Sequence, residues 1–171
     1  FWIVRHGQTV GNVNHEIQGQ MEGELTAIGI KQAQLTGKAL KKVEFLEAYV
    51  SNLARTEDTF QEIIAENIAP PEKSLIHHEP LLREKHGGSL HGKPLKTFDK
   101  MAKEANKPIR DFAPAEGESW NDVFARSTKF FEEIYKEKFP CTVENMSQHP
   151  KGSTPDKYLV VTHGGWIMEM Y

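Results

Sequence analysis

Arg5, His6 and Gly7 stand directly behind one apolar run, and His163, Gly164 and Gly165 stand behind another. A histidine so placed can act as a nucleophile. A neutral imidazole attacks phosphorus, and cations beside it favour the neutral form by opposing protonation. Arg5 is one such cation. Arg55, in "SNLARTEDT", is a second, and its planar fork matches the oxygens of a phosphate. Phosphoryl transfer asks for little beyond positioning and positive charge around the transferred group. His163 can donate to a further oxygen, and the glycines behind both histidines, Gly164 among them, let backbone amides approach closely. The departing alkoxide needs a proton. Glu84, in the Gly-rich turn of "LLREKHGG", is the best-placed carboxylate, and beside a dianionic phosphate it is expected to act as an acid near neutrality. Glu79, Glu116 and Glu118 also lie near strand or loop ends and are its rivals.

These side chains need elements to hold them. Phe1 to Val4 reads as a buried strand, and "EAYV" and "SLIHHEPLL" as a second and a third. Tyr158 to Val161 reads as the last strand, followed by a helix behind His163. Between the strands lie helical patterns. Thr26 is the expected cap of "AIGIKQAQLTGKALKK", whose cationic end suits a helix C-terminus. Ser51 and Asn52 are expected to cap "ARTEDTFQEIIAEN". Ser119, with Asp122 three residues on, opens an amphipathic helix whose face is expected to carry Trp120, Val123, Phe124, Phe131, Ile134 and Tyr135. Residues 139–157 read as a long polar loop that contains Cys141. Alternating strands and helices imply an α/β fold with an open, mostly parallel sheet flanked by helices. Ligands bind beyond the carboxyl ends of such strands, where both His-Gly junctions fall.

Composition narrows the partners. A chain of 171 residues with 38% hydrophobic and 26% charged residues suits a single domain over 1–171 with a sizeable core. Both ends read as candidates for truncation: the chain starts without Met inside an apparent strand and stops at Tyr171 within a helix. A net charge of −3 without an arginine-rich run argues against nucleic acid. No apolar stretch nears the roughly 20 residues of a membrane span. The lone Cys141 excludes an internal disulfide and, with no signal peptide visible, points to a reducing, cytoplasmic setting. His77, His78, His86 and His91 match no zinc spacing, so no metal is expected; "HHEP" reads as a surface turn. Met168 and Met170 read as helix packing. Oligomeric state is not legible.

Taken together, "RHGQT" followed by Asn12, "SNLARTEDT", "LLREKHGG", "EGES" and "VVTHGG" resemble the histidine phosphatase superfamily, with its phosphoglycerate-mutase-like three-layer α/β/α fold. "RHG" alone is a weak match, but the ordered set spans nearly the whole chain. The resemblance implies that His6 becomes phosphorylated while Arg5, Arg55 and His163 hold the phosphoryl group. It implies that Glu84 donates the proton and later activates water. Asn12 would contact the phosphoryl group, and Gln18 and Gly19 would line the entrance. It implies no cofactor and no metal, and a small phosphorylated molecule as substrate.

Within the superfamily, "IQGQ", "LREKHGGSLHGKPL", "KMAKEA" and "APAEGESWNDVFARSTKFF" are similar to the fructose-2,6-bisphosphatase branch, the TIGAR type, which implies a sugar bisphosphate substrate. The segment "QMEGELT" departs from that branch by lacking the proline that commonly precedes Leu25. A cofactor-dependent phosphoglycerate mutase is the runner-up, and His86 echoes its version of the glutamate motif. No tandem arginine pair stands between Lys93 and Pro114, however, and Gly11 replaces the tryptophan of mutases. A broad-specificity phosphatase is a further alternative. A silent binding module is the reading of a different class; such modules typically lose the nucleophile or an arginine, and all five residues are present here.

Overall fold

The computed structural model describes residues 1–138 and 156–170. Cys141, most of the polar loop and Tyr171 lie outside the described residues, as does the side chain of Tyr135.

Among the described residues four parallel strands make the sheet, in the order β1-β4-β2-β3. They are β1 (Trp2–Arg5), β2 (Glu47–Val50), β3 (Ile76–His78) and β4 (Tyr158–Thr162). Among the described residues six α-helices connect and cover them: α1 (Val10–Val13), α2 (Ala27–Ala39), α3 (Ala54–Glu66), α4 (Thr97–Glu104), α5 (Trp120–Lys138) and α6 (Gly164–Met168). β2 and β4 are buried from end to end, as parallel strands covered on both faces must be.

The two-residue period of the strands sorts the core into layers. Ala48, Val50, Leu159 and Val161 face Leu40, Phe60 and Ile63 of the α2–α3 side. Their neighbours Tyr49, Tyr158 and Val160 face Val123, Phe130, Ile134 and Trp166 of α5 and α6. The result is the three-layer α/β/α arrangement. A smaller cluster of Ile17, Leu90, Ala102 and Phe112, with Phe98 against it, underlies the loops at one end. No helix among the described residues is long and apolar enough to cross a membrane.

The helix starts divide into those that follow local rules and those that do not. Thr26 caps α2, accepting from the N–H of Gly29. Ser119 and Asp122 bond reciprocally at the start of α5, each side chain taking the other's backbone N–H. Ser51 and Asn52, by contrast, do not cap α3. Leu53 occupies the cap position without a side-chain bond, because both polar residues are used elsewhere: Ser51 bonds His163, and Asn52 accepts from Arg83. On α5, Phe124 departs from the expected apolar face. It is 49% exposed, beneath the Arg110 guanidinium, while Phe130 is buried in its stead. His77 and His78 belong to β3 rather than to a surface turn.

Candidate active site

Strand register brings the two histidines together. Arg5 of β1 pairs with Thr162 of β4, so the next residue of each strand, His6 and His163, emerges at one level. The His6 N–H donates to the Thr162 carbonyl at 3.0 Å. The imidazole centroids stand 5.2 Å apart, near the spacing of adjacent strands.

Each ring is oriented from behind. His6 Nδ1 lies 2.7 Å from its neighbour's carbonyl, Gly7 O. A carbonyl only accepts, so Nδ1 carries the proton and Nε2 keeps its lone pair. Burial, with the charges of Arg55 and Arg5, lowers the His6 pKa to about 4 against the hydrogen bond that the ring donates to Gly7 O. His6 is therefore a neutral imidazole at pH 7. His163 is wholly buried and its pKa falls well below the usual range, first through burial and then through Arg55 and His6. Ser51 Oγ lies 2.8 Å from its Nε2.

The guanidinium of Arg55 is 1% exposed at the start of α3. It donates to the carbonyls of Gly19 at 2.6 Å and Met21 at 2.9 Å. Gly19 adopts φ +51°, in the left-handed region that favours glycine, so the loop's own conformation presents that carbonyl. Two buried polar atoms make no hydrogen bond among the described residues: Arg55 Nε and His163 Nδ1. An anion would satisfy both.

Glu84 is held by backbone on both oxygens. Oε1 accepts from the Lys85 N–H at 2.8 Å, and Oε2 from the Gly165 N–H at 3.1 Å. A Cβ at Gly165 would collide with Glu84 Oε1 and with the Trp120 ring, so a side chain there would have to push the carboxylate aside. Of the rivals, Glu118 is paired with Arg126 at 2.9 Å and accepts the His86 N–H at 2.7 Å. Arg126 also donates to the carbonyls of Leu81 and Arg83, which braces the turn that carries Glu84. Glu79 and Glu116 do not border the cavity, whereas Glu16 does.

That cavity, about 530 Å³, is lined by Arg5, His6, Asn12, Gln18, Gly19, Arg55, Glu84 and Gly164, eight of the nine expected residues. The ninth, His163, lies against His6. Asn12 and Gln18 spend their amide oxygens locally. Asn12 Oδ1 takes the Thr9 N–H at 3.1 Å, and Gln18 Oε1 accepts from the Thr9 hydroxyl at 2.8 Å. Only their amide nitrogens remain to meet a ligand. The far wall is apolar, built from Ile17, Leu95, Phe98, Trp120 and Met168. Met168 is 67% exposed and borders this space rather than packing its helix, whereas Met170 packs against the core.

Sequence reasoning missed Ser51, Lys85 and Glu16. Gly165 it read as one of the glycines that let backbone amides approach closely, and its N–H does meet Glu84 Oε2. The family model for the histidine phosphatase superfamily, branch 1, matches residues 1–171. The chain belongs to this superfamily. It is 29% identical over 184 residues to the zebrafish (Danio rerio) protein named probable fructose-2,6-bisphosphatase TIGAR A, covering 96% of this chain and 72% of that one. It is 34% identical over 175 residues to the metal-independent phosphoserine phosphatase of Arabidopsis thaliana, covering 99% and 66%. Among solved structures, mycobacterial glucosyl-3-phosphoglycerate phosphatase superposes with a TM-score of 0.74 at 28% identity, covering 98% of this chain and 75% of that one.

Proposed function

We propose that this histidine phosphatase hydrolyses phosphate monoesters in two steps through a phosphohistidine at His6. The observation that carries the reading is the His6 Nδ1 contact with Gly7 O, which commits the lone pair to Nε2 on a ring that is neutral at pH 7. Nε2 attacks phosphorus, a P–N bond forms and the P–O bond to the alcohol breaks. Arg5, Arg55 and His163 Nδ1 hold the phosphoryl oxygens as charge redistributes in the transition state. Glu84, in its acid form, gives its proton to the departing alkoxide. The resulting carboxylate then takes a proton from water, whose oxygen attacks phosphorus, releasing inorganic phosphate and restoring His6.

A sugar bisphosphate such as fructose-2,6-bisphosphate is the proposed substrate, supported by similarity to the TIGAR proteins. The apolar wall of Ile17, Leu95, Phe98, Trp120 and Met168 favours a second reading, a broad-specificity phosphatase that accepts apolar alcohols. Arg110 argues against the mutase reading. It is the single arginine between Lys93 and Pro114, and it is tied to Glu169 at 2.6 Å away from the cavity lining.

Initial rates on fructose-2,6-bisphosphate, 2,3-bisphosphoglycerate, phosphoenolpyruvate and simple monoesters, with a chelator present, test the proposal. Chelator-indifferent turnover led by the sugar bisphosphate is expected. Absence of turnover on every ester would mark a binding module.

A further inference from the structure

Gln20 lies off the cavity lining, yet it grips the backbone of the acid. Its Nε2 donates to the Glu84 carbonyl at 3.1 Å, and its Oε1 accepts from Arg83 Nη1 at 3.3 Å. A carbonyl only accepts and a guanidinium only donates, so both contacts require the same orientation of the amide. Arg83 Nε donates in turn to Asn52 Oδ1 at 2.8 Å. Segments that follow β1, β2 and β3 are thereby tied together around one side chain. The contact with Glu84 acts on a single peptide. The Glu84 carbonyl and the Lys85 N–H belong to one planar unit and point in opposite directions from it. Gln20 holds the carbonyl end, while the N–H end donates to Glu84 Oε1 at 2.8 Å. Rotation of that plane would withdraw the N–H from the carboxyl group.

The geometry points to Gln20 as the positioning residue for Glu84: through one peptide plane it sets the direction in which the acid faces the departing alcohol. The same loop also carries the anchors of Arg55, because the carbonyls on either side of Gln20, those of Gly19 and Met21, accept from the guanidinium. Those anchors are backbone groups and do not depend on the side chain at position 20. A substitution there therefore separates two functions, loosening the acid while leaving the cation on the phosphoryl group in place. Glu84 keeps its other holds, the Gly165 N–H on Oε2 and Arg126 on the Arg83 carbonyl, so its carboxyl group is misdirected rather than released. This rests on the phosphatase reading, in which Glu84 is the acid, and extends it to what aims that acid.

Single-turnover bursts on Gln20→Glu test the inference with two aromatic esters, benzyl phosphate and p-nitrophenyl phosphate. The new carboxylate still accepts from Arg83 but has no proton to donate to the Glu84 carbonyl. Loss of that one hydrogen bond should slow the burst with benzyl phosphate, which releases a basic alkoxide, about tenfold. The burst with p-nitrophenyl phosphate, whose leaving group needs no proton, should hardly change. Gln20→Met, which keeps the length and loses both contacts, should show the same split. A role in folding the loop would release Arg55 as well and slow both esters. Equal slowing of both, or no slowing of either, would overturn the assignment. A readout on the unsubstituted protein guards against misfolded variants: NMR should detect scalar coupling across the hydrogen bond between Gln20 Nε2 and the Glu84 carbonyl carbon, and its absence would overturn the assignment too. Glu84→Gln, measured alongside, separates this inference from the reading beneath it. A split in Glu84→Gln but in neither Gln20 variant overturns the inference alone. No split in Glu84→Gln, or no burst with either ester in the unsubstituted protein, overturns the underlying reading and this inference with it.

Discussion

Ser51 Oγ and His163 Nε2 lie 2.8 Å apart in the interior, although 112 positions separate them in the chain. A hydroxyl donating to Nε2 places the imidazole proton on Nδ1, the atom left to meet a phosphoryl oxygen. Ser51→Ala should leave a buried nitrogen unpartnered, at about 1–3 kcal/mol of stability. Catalysis should fall as well, about tenfold for a loss of some 1.4 kcal/mol in the transition state. Urea midpoints and kcat/KM on p-nitrophenyl phosphate read the two effects. Unchanged kcat/KM would show that Ser51 does not set the His163 tautomer.

The acid can be separated from the cations by leaving group. Losing a donor to the phosphoryl oxygens costs on the order of 10²–10³ in rate whatever alcohol departs. The proton from Glu84 matters only for a basic alkoxide, where general acid catalysis is worth roughly 10²–10⁴. Glu84→Gln should therefore slow the burst with sugar phosphates and largely spare it with p-nitrophenyl phosphate, whereas Arg55→Ala should slow both. Gly165→Ala should mimic Glu84→Gln, because its methyl group displaces the Glu84 carboxylate. Equal slowing of both bursts by Glu84→Gln would pass the acid role to Glu16, the other carboxylate on the cavity wall.

Two buried neutral histidines shape the response to acid. An unfolded imidazole ionises near pH 6.5, whereas folded His6 does so near 4. Between those values the unfolded chain binds protons that the folded protein refuses, so stability rises with pH across that window and is lost as pH falls through it. His163, shifted in the same direction, adds to the effect. A heteronuclear NMR titration should place the His6 midpoint near pH 4, and urea midpoints should be lower at pH 5 than at pH 7. A His6 midpoint near 6.5 would refute the desolvated, cation-flanked nucleophile.

The single Arg110, held by Glu169, leaves no arginine pair to retain a bisphosphate intermediate while it reorients. Incubation with 3-phosphoglycerate and catalytic 2,3-bisphosphoglycerate should release inorganic phosphate without efficient formation of 2-phosphoglycerate. Rapid interconversion would restore the mutase reading.

The legible features were those written in local pattern. Apolar runs ending at Arg5 and Thr162, the Thr26 cap and the Ser119–Asp122 box each carry their signal within a few residues, although the Phe1–Val4 run, read as buried, forms an edge strand with Phe1, Trp2 and Ile3 exposed. Ser51 was misread because "SN" ahead of a helix is an ordinary cap signature, and nothing nearby announces a histidine 112 positions away. Phe124 satisfies the helical period yet lies outside the core, because the period fixes a face and not which of its edges a neighbour covers. Nothing near Lys85 in the sequence announces its burial, which depends on Phe98 and Phe112 from a separate stretch of chain. The turn residue Glu84 lies on the cavity wall, but the amides that hold it come from Lys85 and Gly165, and the sequence around Glu84 does not announce the second of them.

The phosphohistidine itself is the most direct test. Rapid mixing with phosphorus-labelled substrate, quenching in base and peptide mapping should find label on the peptide containing His6, stable to alkali and lost in acid. Phosphorus–nitrogen coupling should assign it to Nε2, the nitrogen left free by the Nδ1 contact with Gly7 O. Label that survives acid, or that resides on a peptide without His6, would contradict nucleophilic catalysis by this histidine.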